Sequence, residues 1–208
     1  MIKIKPRVVV AKACIIAAFA LAEPAGAGSI IHVDDDAPTG GDGLSWATPY
    51  KFLQDALNEA AGDPGVAQIR VAGGTHYPDL DERGQVSPAD RTTSFQLRND
   101  LTIMGGYRGC AGGTCGPGDP DERDINLYES TLSGDLSGDD SGPPDDPSHA
   151  DNSYHVVTGS GIDATAILDG FTITGGNADG PSPHDNGGGM LNDGSGSPMV
   201  IHCTFSGN

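Results

Sequence analysis

The sequence predicts an all-β fold, a parallel β-helix with a short capping helix at its N-terminal end. Three observations carry that expectation. A six-residue phrase (apolar or small, polar, apolar, any residue, Gly, then Gly, Asn or Asp) occurs as Ile69–Gly74, Leu101–Gly106, Ser130–Asp135, Phe171–Gly176 and Cys203–Asn208. The starts of these phrases lie 32, 29, 41 and 32 residues apart. A short alternating strand that ends in glycine and returns at that period marks stacked repeats. The third observation is a single amphipathic helix just ahead of the first phrase, where a solenoid needs its open end covered.

Taken in chain order, residues 1–27 read as an export signal. Lys3, Lys5, Arg7 and Lys12 lead into the apolar run Ala13–Ala22, which is too short to span a bilayer. Ala25-Gly26-Ala27 supplies the small residues a signal peptidase needs, so cleavage is expected after Ala27. Residues 28–65 form the N-terminal strand and cap. Ser29–Val33 is the strand, stopped by Asp34-Asp35-Asp36. Thr48 suits a helix N-cap and Pro49 the first helical position. Leu53, Ala56, Leu57 and Ala60 make one apolar stripe, and Gly62 ends it. Trp46 is expected to pack in this cap.

Residues 66–208 are the coils. Side chains alternate along a strand, so Val71, Ile103, Leu132, Ile173 and Phe205, the third positions of the phrases, are expected to share one internal column. Burial of each would contribute about 1.5–3 kcal/mol. Arg70, Thr102, Thr131, Thr172 and Thr204 point outward, and Gly73, Gly105, Gly134, Gly175 and Gly207 mark bends at positive φ. Shorter strands are expected within Ser94–Leu97, Tyr154–Thr158, Ala164–Leu168 and Met199–Ile201, with 108–124, 135–151 and 177–198 as extruded loops. Because the chain stops on a completed phrase, it is expected to be the first part of a longer solenoid or to associate end to end.

Charge bounds the partners. The whole chain has 29 acidic and 11 basic residues, and the signal carries one of the former and four of the latter. The mature chain therefore holds 28 acidic against 7 basic residues, a formal charge of −21. Such a surface repels nucleic acid and anionic lipid and attracts divalent cations. The mature chain has no stretch apolar enough to cross a membrane. Arg70, Arg83, Arg91, Arg98, Arg108 and Arg123 are expected to pair with nearby carboxylates, each exposed pair stabilising little.

The candidate chemistry is sparse. Cys110 and Cys115 bracket the short loop CAGGTC and are expected to form a disulfide in an oxidising compartment, with about 2 kcal/mol from chain entropy; a zinc site is the competing reading of the same spacing. Cys203 reads as a small core residue. Asp135, Asp139, Asp140, Asp145, Asp146 and Asp151 are the densest acidic group, and the first five are the candidates to bind calcium weakly, because calcium takes several oxygen ligands. A solvated acidic loop is the plainer reading. Asp163, Asp169 and His202 are the nearest approach to a hydrolytic carboxylate cluster with a helper histidine. His149, Asp151 and His155 have metal-ligating side chains at a spacing that suits no regular element. No catalytic residue is assigned.

Gly187-Gly188-Gly189-Met190 and Phe205-Ser206-Gly207-Asn208 resemble the paired motifs of polymorphic outer membrane protein repeats. IHVDDDAPTGGDGLSWATPYKFLQDAL, IRVAGGTHYPD, LTIMGGYRGC and LDGFTITGGN resemble the N-terminal part of secreted right-handed β-helix proteins of the pectin-lyase-like group. The resemblance implies a right-handed coil and a secreted, cell-surface or outer-membrane location. That group holds lyases, hydrolases, adhesins and inert scaffolds, so no activity follows from it. The leading expectation is a non-catalytic surface scaffold or adhesive segment whose partners are surface glycans, other proteins or further copies of itself. The alternative is a polysaccharide lyase or glycoside hydrolase.

Overall fold

The computed structural model describes residues 28–208 apart from 111, 113, 144 and 145. The export signal with its cut after Ala27, and Asp145, lie outside the described residues. In chain order the elements are β1 (Ser29–Val33), α1 (Leu53–Gly62), β2 (Val66–Ala72), β3 (Gly74–His76), β4 (Phe95–Gln96), β5 (Thr102–Tyr107) and β6 (Ser130–Ser133). A 3-10 turn (Pro147–Asp151) follows, then β7 (Val157–Thr158), β8 (Ile167–Asp169), β9 (Phe171–Thr174), β10 (Met190–Leu191), β11 (Met199–Ile201) and β12 (Thr204–Phe205).

The expected all-β, right-handed parallel β-helix is corrected by the sheet topology. The strands fall into three separate small sheets, β1-β2-β5-β8-β11, β3-β6-β9-β12 and β4-β7-β10, and no closed solenoid is found among the described residues. With α1 packed against β1, β2 and β4, the character is α/β rather than clearly all-β. The physical reason lies in the links. Strands of two to seven residues are joined by irregular stretches many times longer, such as 108–129 and 134–156, so hydrogen bonding runs along each sheet and not from one sheet to the next. Every strand pair is parallel, which requires a crossover between successive partners.

The single column of third positions is also corrected. In the first sheet the register aligns Ile31, Ile69, Ile103, Leu168 and Val200. In the second it aligns His76, Leu132, Ile173 and Phe205, and in the third Phe95, Val157 and Met190. The first two phrases thus build the first sheet and the last three build the second. The cause is visible at Gly105 and Gly106: β5 runs through both to Tyr107 instead of bending there. Val71, Ile103, Leu132 and Ile173 do lie in one hydrophobic core with Phe95, Phe171 and the α1 stripe. Phe205 does not; it is 47% exposed.

The glycines have two distinct jobs. Gly175 and Gly207 take positive φ, 73° and 62°. Gly105 and Gly134 do not; a Cβ on either would run into a backbone oxygen, that of Gly170 and of Gly175 respectively. Close backbone approach, not left-handed conformation, demands glycine there.

The helix begins later than its sequence signals suggest. Phe52 occupies the N-cap with no side-chain hydrogen bond, and the Thr48 hydroxyl donates to Asp42 Oδ1 at 2.6 Å instead. Leu53, Ala56, Leu57 and Ala60 are all buried. Trp46 packs with Ala72, Tyr107 and Cys110 in a second, smaller cluster, its indole N–H donating to Asp121 Oδ1 at 2.9 Å. No helix among the described residues is long and apolar enough to cross a membrane.

The shared core makes a direct prediction. Ile103→Ala and Leu132→Ala should each lower the unfolding free energy by about 2–5 kcal/mol, read by urea denaturation. Phe205→Ala should change it by only about 0.5 kcal/mol, as for an exposed site.

Candidate functional site

The densest group of functional side chains is built where β6 ends. Gly134 passes against Gly175, and Asp135 then folds the following segment onto its own carboxylate. Its Oδ1 accepts the backbone N–H of Gly138 at 2.8 Å and of Asp139 at 3.2 Å, and its Oδ2 accepts that of Asp140 at 3.1 Å. Asp146 caps the 3-10 turn, accepting from the Ser148 N–H at 3.0 Å and the Ser148 hydroxyl at 2.8 Å; these bonds hold its carboxyl below the usual range. The turn brings Asp151 back, so that one oxygen each of Asp135, Asp139 and Asp151 lies within 4.8 Å of the others.

Asn152 and Arg91 pin this loop to the body. Asn152 is 1% exposed, and its Nδ2 donates to Asp140 Oδ2 at 2.9 Å. Arg91 Nε donates to the Asn152 carbonyl at 2.5 Å, and the same guanidinium pairs with Asp179 at 2.6 Å and lies 4.3 Å over the Tyr154 ring. His149 Nδ1 sits 2.9 Å from Asp140 Oδ1. Beside the loop is a cleft of about 460 Å³ lined by His149, Asn177, Asp185, Asn186 and Asn208 with several glycines.

The carboxylates singled out in the sequence therefore divide by role. Asp135 and Asp139 come together, and the third oxygen comes from Asp151. Asp140 faces His149 and Asn152, and Asp146 is spent in its cap. His155 lies apart from His149 and Asp151: its Nδ1 faces the Gly187 carbonyl at 3.1 Å and its Nε2 faces His184 Nδ1 at 3.1 Å. Facing a carbonyl, Nδ1 must carry the proton, so Nε2 accepts from His184. Cys110 and Cys115 are joined by a disulfide, and Cys203 is a half-buried free thiol that burial holds high.

Asp169 and His202 do meet. His202 Nδ1 is 2.9 Å from Asp169 Oδ1, and Arg123 reaches the same oxygen at 3.2 Å. Partial burial pushes the Asp169 carboxyl up, but the His202 and Arg123 hydrogen bonds outweigh it and hold it low. Next to them is a polar groove of about 230 Å³ with Glu129, Thr172 and Thr204 on its walls. Asp163 does not join them; its Oδ1 accepts the N–H and hydroxyl of Thr165 in its own turn. Of the six arginines, Arg70, Arg83, Arg91, Arg108 and Arg123 pair with carboxylates as expected. Arg98 instead reaches the Ala61 carbonyl at 3.5 Å.

One functional group had no signal in the sequence. His76 is 3% exposed at the head of the second sheet's inward column, and its Nε2 has no hydrogen-bond partner. It borders a cavity of about 220 Å³ with Asp35, Lys51, Phe52, Tyr77 and Leu80. Burial drives its pKa down, against the opposing pull of Asp35 and the Ala72 carbonyl. Burial likewise lowers His155.

No family model, curated protein or solved structure matches this chain.

His32, His76 and His155, all lowered chiefly by burial, set a pH dependence. A histidine lowered in the folded state takes up its proton in the unfolded chain first, so its contribution is complete above about pH 6.5 and lost as pH falls below that. Asp34 and Asp55, raised chiefly by burial, act oppositely, contributing below the ordinary carboxylate pKa and losing it as pH rises through their own. His76→Leu, at a position aligned with Leu132, should leave Tm at pH 7.5 no lower and shrink the fall in Tm between pH 7.5 and 5. His155→Gln should shrink it too. An unchanged fall in both variants would show that other groups set the acid limb.

Proposed function

We propose that this chain is an exported, non-catalytic module that serves as a surface scaffold or adhesive segment. The observation that carries the reading is how its acid is used. Asp34, Asp63, Asp81, Asp90, Asp124, Asp135, Asp146, Asp163 and Asp193 each accept a backbone N–H one to five residues further along. An excess of carboxylates that would otherwise repel one another is turned into internal loop supports. Rigid, acidic, outward-facing loops on a shared core suit presentation to glycans or other proteins. The Cys110–Cys115 disulfide supports an oxidising compartment outside the cytoplasm, the secreted, cell-surface or outer-membrane setting that the N-terminal residues suggest. The charge speaks against nucleic acid as a partner.

A second reading, a polysaccharide lyase or glycoside hydrolase, is favoured by one arrangement alone: Asp169, His202 and Arg123 beside the groove that contains Glu129. Against it, Asp169 is already engaged by both cationic partners. Incubating the protein with polygalacturonate and with neutral glycans, with and without calcium, should give no product above buffer. Turnover at about 1 s⁻¹ or faster that is lost in Asp169→Asn would replace the scaffold reading with the enzymatic one.

A further inference from the structure

We infer that the loop after β6 is a divalent-cation site, with Asp135, Asp139 and Asp151 as carboxylate ligands and calcium as the ion it takes. Proximity of the three carboxylates is the first observation: oxygens within 4.8 Å of one another match the spacing of ligands arranged around an ion with bonds of about 2.3–2.6 Å. Three like charges so close are unfavourable unless a cation lies among them.

The second observation is the buried oxygen acceptors left unmet in and beside that cluster. Asp151 Oδ2 is sealed from solvent and has no hydrogen-bond donor. The side chain of Asn152, 1% exposed, enters the same loop on Asp140 Oδ2, yet its own Oδ1 has no partner. Asp140 Oδ1 is likewise sealed without a hydrogen bond; His149 Nδ1 is near it but not aligned to donate. Three oxygen acceptors within thirteen residues thus make no hydrogen bond, and a buried acceptor without one costs stability. A cation removes that cost; a further acceptor would not.

The donor set selects the ion. The clustered ligand atoms are carboxylate oxygens and the unmet Asn152 atom is an amide oxygen, with no thiolate, so a hard cation is preferred over zinc or copper; the loop's unmet imidazole nitrogen, His149 Nε2, is not part of the cluster. The segment is a loop of irregular spacing, already held at Asp135 by backbone N–H groups. Such a frame suits calcium, which accepts six to eight oxygens in flexible geometry, better than magnesium with its strict octahedron. The site is independent of whether the module is catalytic, since it shares no residue with the Asp169–His202 groove.

The test is calorimetric titration of the full chain with calcium chloride at pH 7.5 in 150 mM sodium chloride, where diffuse binding to the acidic surface is screened. One saturable site is expected, with Kd at or below about 1 mM, and magnesium binding should be at least tenfold weaker. Asp151→Asn and Asp139→Asn should each weaken calcium binding by tenfold or more, while Asp193→Asn, in a separate turn held to Ser160, should leave it unchanged. Without calcium, Asp151→Asn should melt no lower than the wild type; with calcium the order should reverse. Absence of a saturable site, or equal affinity in Asp139→Asn and Asp193→Asn, would overturn the inference. Asp139 is exposed, so its variant keeps the test decisive if Asp151→Asn fails to fold.

Discussion

The register of the parallel ladders is the constraint on which the remainder of the molecule depends. Three sheets turn their inward positions toward one core, so a one-residue slip in any strand would exchange its inward and outward sets. In β2 and β5 that slip would bring Arg70 and Met104 to positions now filled by Ile69 and Ile103, which are paired across the ladder. Short strands alone hold register weakly. What holds it here is the convergence of Phe95, Ile103, Leu132, Leu168, Phe171 and Ile173 with the stripe of α1 in one contiguous cluster. Side chains from all three sheets and the helix touch there, so no sheet can shift alone.

Electrostatics then decides what the links between strands look like. A chain with four times as many acidic as basic residues outside its first 27 residues cannot neutralise itself with ion pairs. Local capture of backbone N–H groups is the available alternative, because it satisfies donors that irregular segments leave open and spreads the negative charge. The arginines are kept for bridging distant segments. Arg91 ties residues 152, 177 and 179 together, Arg123 reaches the carbonyls of Gly105 and Asp169, and Arg70 reaches Asp121.

How much of this was legible in the sequence follows from the range of the forces involved. Alternation at Ser29–Val33 and the stripe at Leu53, Ala56, Leu57 and Ala60 are local patterns, and both elements form where those patterns lie. The pairing of phrases was not legible, because a period of about thirty residues does not say which stretch inside it hydrogen-bonds to the previous copy. Close backbone passages such as Gly105–Gly170, Gly134–Gly175 and Gly176–Gly188, seen in the structure, show where successive segments meet. Thr48 misled for a similar reason: its hydroxyl had a competing partner in Asp42, set by a turn whose geometry no residue pattern specifies. In the acidic loop, Asp135, Asp139 and Asp151 were legible as members of one dense acidic group, but not which three of its carboxylates would meet; that depends on the 3-10 turn, which brings Asp151 back beside the other two.

The loop after β6 is not a mere appendage to this frame. Asn152 gives its carbonyl to Arg91 and its amide to Asp140, and the next residue, Ser153, donates its N–H to the carbonyl of Gly134 at 2.8 Å. Gly134 in turn donates to the Thr174 carbonyl at the end of β9. Order in the loop is thereby connected to the end of β9, an inner strand of the second sheet, through consecutive hydrogen bonds. Arg91 extends the connection to 177–179, on the rim of the adjacent cleft. An extruded loop usually exchanges freely between conformations because little of its backbone is tied down. This one is anchored at both ends to ladder residues, so any charge placed among its carboxylates acts on the sheet as well as on the loop.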